Sequence, residues 1–241
     1  MKIRTKLVLV FVITAFCYSA GALISIEIIS KQFIDTVGIY SIQITKSTLK
    51  NIYDRIDLRS GQLILIANNI EVLRIIDESN SDFEKMENRD QHIEKTDSDW
   101  MSGKSSEAIS NVLSSELSLH LKMDQSNIKY ESNKLVFSEI YVTNQYGVVI
   151  GSTGRTTDYL QSDEEWYQNA IIEKDGLWIG KPEYDESSRS YSIDIVYRIN
   201  DDDGKFLGVI KGVYDLGTIL VQSRGSFPCS KMTSHTTTYR I

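Results

Sequence analysis

The segment "LVLVFVITAFCYSAGALISIEII", Leu7 to Ile29, constrains this chain more than any other. It runs 23 residues with one charge, Glu27, near its far end. An apolar helix of that length crosses the hydrocarbon core of a bilayer. Lys2, Arg4 and Lys6 flank its N-terminal side, so the positive-inside bias puts the N-terminus in the cytoplasm and the rest of the chain outside. A cleaved secretory signal is the rival reading, because "AGA" at Ala20 to Ala22 is an acceptable cleavage triplet. The apolar run continues past that triplet, which favours a retained anchor; Phe16 before Cys17 stands where a lipoprotein signal needs a small residue.

The whole chain carries a formal charge of -7, and residues 1 to 29 hold three bases and one acid, so the remainder carries -9. A domain this acidic is a poor partner for nucleic acid. Cys17 lies in the apolar run and Cys229 near the chain end, so neither a disulfide framework nor a cysteine metal site is readable.

From Lys31 to about Ile76 the apolar residues Ile34, Val37, Ile44, Ile52, Ile56, Leu63, Ile66, Ile70 and Leu73 recur mostly at helical spacing. The spacing predicts one long amphipathic helix continuous with the apolar span. Its stripe either packs on its own domain or, in the membrane-near half, pairs with a second copy in a parallel homodimer. The acid-rich stretch Asp77 to Asp99 reads as a surface connection, and Ser105 to Met123 as a second helix with Trp100 packed against it.

After Lys134 the rhythm becomes alternating. "LVFSEIYVTN" and "GVVIGST" read as a hairpin around Gln145 to Gly147; "GLWIGKPEYD", "RSYSIDIVYRIN" and "KFLGVIKGVYDL" read as three further strands, the last two joined by the tight turn "DDDG". The expectation is an α+β fold: a long helix on a five-stranded antiparallel sheet, interrupted once by a helix after the second strand. The organisation is an anchor over residues 1–30, helical and connecting elements over 31–135, the sheet over 136–216 and an atypical tail over 217–241. That tail, with "VQSRGSFPCSKMTSHTTTYRI", breaks every pattern and reads as a shifted frame or a truncated gene.

Several chemistries fail on spacing. Gly147, Gly151 and Gly154 fit no phosphate-loop fingerprint, and "NDDDG" lacks the alternating ligands and distal Glu of a calcium loop. His92, His120 and His235 are isolated from other ligands, and Ser152 lies in no nucleophile elbow. No catalytic constellation, metal or cofactor is nominated, and the chain is not expected to be an enzyme.

The stretch "TTDYLQSDEEWYQNA", Thr156 to Ala170, is different. Ser162 followed by Glu165 is a capping-box pattern, with Asp163 and Glu164 in the first turn where the helix dipole favours acids. That explains the acids but not the aromatics. Trp166, Tyr167 and Ala170 share a helix face, and Tyr159 precedes the cap. A helix laid across the sheet would bring that face to Trp178, Tyr184, Tyr191 and Asp194, although alternation puts Tyr191 and Asp194 on opposite sides. The cluster is either an aromatic core or a small pocket with polar tips.

Together, "TDYLQSDEEWYQNA", "GLWIGKPEYDESSRSYSIDIVYRI" and "GKFLGVIKGVYDL" resemble the Cache family, PAS-like extracellular sensor domains of prokaryotic sensor histidine kinases and chemoreceptors. The resemblance covers Phe33 to Leu216 and is specific from Ile140 to Asp215. It implies a PAS-like sheet with a small-molecule ligand held between it and the short helix. In amino-acid-binding members an Arg and tyrosines hold the ligand carboxylate and an Asp its ammonium. Here Tyr159, Trp166 and Tyr167 match the aromatic positions and Asp215 the Asp, while Glu164 stands where the Arg would be. An acid there repels a carboxylate, so a cationic or neutral ligand is expected, with Asp215 as counter-ion and Trp166 and Tyr167 as π-faces. The ligand set is then Tyr159, Glu164, Trp166, Tyr167, Trp178, Tyr184, Asp194 and Asp215. The implied role is the extracytoplasmic sensing input of a membrane-bound, two-component or chemotaxis receptor whose output domain lies outside this sequence. A stand-alone anchored or secreted binding protein is the alternative.

Overall fold

The computed structural model describes residues 3–104, 106–129, 134–185 and 190–217. The tail beyond Gly217, including the pattern-breaking segment, lies outside the described residues. The chain divides into two compact units, 1–54 and 55–241. The first is helical throughout its described length and belongs to α1 (Ile3–Ala67); none of its described side chains is buried. α1 is long and apolar enough, near the N-terminus, to cross a membrane.

The second unit takes in the last part of α1, from Arg55, and then α2 (Ile70–Glu84), α3 (Arg89–Met101), α4 (Ser106–Leu113), α5 (Glu116–Asn127), β1 (Phe137–Asn144), β2 (Val149–Ser152), α6 (Glu165–Ile172), β3 (Leu177–Ile179), β4 (Glu183–Asp185), β5 (Ser190–Asn200) and β6 (Phe206–Asp215). The sheet is antiparallel in the order β2-β1-β6-β5-β3, with β4 further along the β3 edge of β5. It is therefore five strands wide. What reads as one strand in "GLWIGKPEYD" divides into β3 and β4 around Gly180 to Pro182, because proline supplies no N–H to a ladder.

The helices depart from the sequence expectation in three places. The long helix does not run to Ile76: it stops at Ala67, and Asn69 starts α2 by accepting the Glu71 N–H at 2.9 Å. The predicted surface connection from Asp77 to Asp99 is folded as the end of α2 and most of α3, with Asn80, Ile93 and Trp100 buried. Sparse apolar spacing hid these helices, since only a few positions of each face inward. The predicted second helix is two helices, broken where Ser115 accepts the Ser118 N–H and caps α5.

Strand alternation separates two faces. Ile140, Gly212 and Ile195 lie abreast on one, as do Val142, Ile210 and Tyr197. A Cβ at Gly212 would come within 2.9 Å of Phe137 and 3.1 Å of Leu63, so α1 lies directly against this strand. Leu63, Phe137, Ile140, Ile195, Ile210 and Tyr214 are fully buried here, each aliphatic or Phe side chain contributing about 1.5–3 kcal/mol. The opposite face carries the candidate site.

Candidate functional site

Tyr141 of β1, Lys211 of β6, Val196 of β5 and Trp178 of β3 form one row across four strands. Residues directly opposite in antiparallel strands share a face, so these four point to the same side. α6 packs over β5 and β3 and brings Trp166 edge-on to Tyr141, with ring centroids 5.8 Å apart. Tyr167 meets Trp166 edge-on at the same separation. With Tyr159, Val209 and Ala170 these aromatics belong to one buried cluster, and Trp178 packs partly buried against it.

At the centre of that face is a charge. The Lys211 ammonium lies 4.6 Å from the Trp166 ring centroid and 5.8 Å from that of Tyr141. It is paired with Asp194 Oδ2 at 2.7 Å; the lysine side chain is 11% exposed and the aspartate 31%. Aromatic faces attract a desolvated cation by about 0.5–2 kcal/mol, so Lys211 is held by rings and a carboxylate at once.

The surroundings are acidic. Burial, and then the charges of Glu139, Asp194, Glu164 and Asp158, push the Tyr141 hydroxyl well above its ordinary pKa. Burial alone pushes Tyr159 and Tyr167 up to about 12. All three phenols stay neutral at physiological pH. The Tyr141 hydroxyl donates a long hydrogen bond, 3.4 Å, to Gln161 Oε1, and Gln161 in turn donates to the Asp158 carbonyl.

α3, unseen in the sequence reading, holds the approach to this cluster. Asp97 Oδ1 accepts the N–H groups of Tyr159 and Leu160 at 2.8 and 2.9 Å. Trp100, placed inside α3, stacks tilted on Tyr159 and donates its indole N–H to the Thr156 carbonyl, while Arg155 donates back to the Trp100 carbonyl. Tyr159 also lines a cleft of about 460 Å³ between α3 and α4. Leading into α6, the capping box does not form: Glu164 is the N-cap residue and makes no side-chain cap hydrogen bond. Ser162 instead packs on Gly147, whose positive φ of 78° and lack of a Cβ admit a contact that would otherwise fall at 2.5 Å. The Gln161 N–H donates to the Gly147 carbonyl at 2.8 Å and fixes that approach.

The expected site residues thus divide. Trp166, Tyr167, Tyr159, Trp178 and Asp194 lie on or against the aromatic face, and Glu164 is near enough to act on Tyr141. Tyr184 pairs in register with Tyr191, edge-on at 5.2 Å, which puts it on the face opposite Asp194; both rings are half exposed. Asp215 ends β6 two pairs along from Asp194's partner; its carboxylate bonds Lys134 at 3.1 Å and accepts the Gly217 N–H at 2.7 Å. Strand parity alone could have found Lys211: it shares Val209 and Val213's face, an inward position for a base.

No family model matches the chain, and no curated protein matches it. Among solved structures it is similar to the ligand-binding domain of the Pseudomonas aeruginosa amino acid chemoreceptor PctC in complex with GABA, at 15% identity and a TM-score of 0.34 over 57% of this chain and 62% of that one. The extracellular domain of rpHK1S-Z16, classed as a histidine kinase, matches at 12% identity and a TM-score of 0.36 over 69% of this chain and 59% of that one. The sensory domain of the Campylobacter jejuni chemoreceptor Tlp3 with isoleucine bound matches at 16% identity and a TM-score of 0.33 over 75% and 64%. The chain spans about three-fifths of the length of each of these domains.

Proposed function

We propose that the chain is the extracytoplasmic, small-molecule-sensing input of a membrane-bound receptor of the histidine kinase or chemoreceptor type, anchored through α1 with its N-terminus in the cytoplasm. The observation that carries this reading is the Lys211–Asp194 pair, whose ammonium lies beside the touching rings of Trp166 and Tyr141. A partly exposed ion pair adds little more to stability than apolar side chains of the same volume. A few convergent polar groups between aromatic walls are instead the composition of a ligand site.

The ligand is a small cation or a neutral molecule. The carboxylates of Glu139, Asp194, Glu164 and Asp158 all act on Tyr141, a field that disfavours an anion. The counter-charge is assigned to Asp194, whose partner Lys211 lies against the Trp166 ring, rather than to Asp215 at the end of β6. Tyr141, Trp166 and Trp178 supply the ring faces.

Transmission follows from the strand. Lys211 faces the site, and the next residue, Gly212, faces Leu63 of α1. A ligand that draws on the Lys211–Asp194 pair therefore loads β5 and β6 against α1. Structures with and without ligand are expected to differ in the placement of β6 against residues 55–67; superposition without a shift would count against it. The exposed Phe33, Val37, Tyr40 and Ile44 support a parallel homodimer along α1. Val37→Cys is expected to cross-link in membranes, and failure under oxidation would remove the dimer.

Calorimetric titration of the full chain in lipid nanodiscs tests the ligand class, with primary amines, neutral polyols, amino acids and dicarboxylates in one panel. Amino acids belong there because the PctC and Tlp3 domains hold GABA and isoleucine. Saturable binding of an amine or a neutral molecule is expected; tight binding of a dicarboxylate would overturn the reading.

A further inference from the structure

Three things recognise a primary alkylammonium: an aromatic face for the cation, a carboxylate for its N–H donors, and an apolar channel for its methylenes. The sheet face supplies the ring face and the carboxylate, and one side chain of the protein uses both. Lys211's ammonium lies over Trp166 and near Tyr141 and bonds Asp194 at 2.7 Å, and its Cα is abreast of Tyr141 on one side and Val196 on the other. Asp194 is the more accessible partner of the pair, 31% exposed against 11%. An incoming cation therefore meets the carboxylate before it meets the rings.

We infer that Lys211 is a tethered occupant of an alkylammonium subsite formed by Trp166, Tyr141 and Asp194, and that a primary amine ligand acts by displacing the lysine head from it. This inference rests on the sensing reading above and names its ligand class and a control on its affinity. The lysine is a resident competitor: the subsite is open to ligand only in the fraction of molecules whose lysine has swung out, and apparent affinity falls by that fraction. The displaced ammonium stays within the field of the carboxylates that act on Tyr141. No bond is made or broken covalently; one ammonium replaces another on the same carboxylate.

The test uses the full chain in nanodiscs and n-butylammonium, which reproduces the lysine side chain beyond its Cα. Lys211→Ala is expected to bind n-butylammonium at least tenfold more tightly than the unsubstituted chain, with its melting temperature restored toward the parent value by the amine and not by n-butyrate. Lys211→Ala with Asp194→Asn is expected to lose that gain. Equal affinity in Lys211→Ala and the parent, or equal restoration by n-butyrate, would overturn the inference. Should Lys211→Ala fail to fold by circular dichroism, Lys211→Met with methylammonium decides in the same way, since the thioether leaves the head position vacant: a gain supports, no gain overturns. The two readings fail separately. Amine binding by the parent without a gain in the variants removes the tethered occupant and leaves the sensing site; a gain in the variants with a dicarboxylate as the parent's preferred ligand does the reverse.

Discussion

The side of the sheet that meets α1 is closed by Ile140, Ile195, Ile210, Phe137 and Leu63, all fully buried and all without charge. The side beneath α6 is built by the same strands at the alternate positions, and there stand Tyr141, Lys211 and Asp194 with an ion pair at its centre. Because both faces come from one backbone, secondary-structure propensity cannot explain the contrast. One face is lined by apolar side chains and the other carries an ion pair beside aromatic rings. Changes to the first should therefore cost stability, and changes to the charged pair of the second should alter binding with a smaller effect on folding.

The largest stability effect is expected at Trp100, which is fully buried and bonded to Thr156. Trp100→Ala should lose about 3–5 kcal/mol by urea unfolding of the full chain, the range for deleting a buried aromatic. Leu63→Ala, on the apolar face, should lose about 2–5 kcal/mol in the same assay and leave ligand affinity within twofold. Loss of binding by Leu63→Ala without loss of stability would erase the distinction between the faces. Asp97→Ala should cost about 1–3 kcal/mol, since it strands two N–H groups of the Tyr159 approach, and should weaken binding by misplacing Tyr159. The smallest stability change is expected for Asp194→Asn, whose carboxylate is nearly a third exposed, yet it should abolish binding of a cationic ligand.

Alkaline titration sharpens the same contrast. The Tyr159 and Tyr167 hydroxyls are raised by burial to about 12, above the ordinary value of about 10 for an unfolded tyrosine. Their folded environment favours the protonated form, so its contribution is intact below pH 10 and is lost as pH rises from about 10 to 12. Unfolding followed by tyrosinate absorbance should show stability falling through that window. Flat stability across it would mean that neither ring is desolvated.

Much of this architecture is legible in the sequence, for reasons that can be named. β1, β2, β5 and β6 follow from alternation, and the last turn from the "DDDG" signal, where Asp201 accepts the N–H groups of Asp203 and Lys205. Trp166 and Tyr167 are marked by helical spacing next to a turn. α3 was hidden because an acid-rich helix with only Ile93 and Trp100 buried has almost no apolar period. The capping box failed because Ser162 is committed to Gly147, a contact between distant turns that no local pattern records. Tyr184 needed the register of β4 on β5 before its face could be assigned. Lys211 was readable from parity but lay inside a run that otherwise looked like a plain buried strand.

The central claim is that Asp194 is the counter-charge of a small-molecule site on the α6-facing side of the sheet. Side-by-side calorimetric titration of the full chain and of Asp194→Asn in nanodiscs, with the primary amine panel, tests it most directly. The account predicts saturable binding by the parent chain and none by Asp194→Asn, with both melting within a few degrees of each other. Equal binding by the two chains would contradict it.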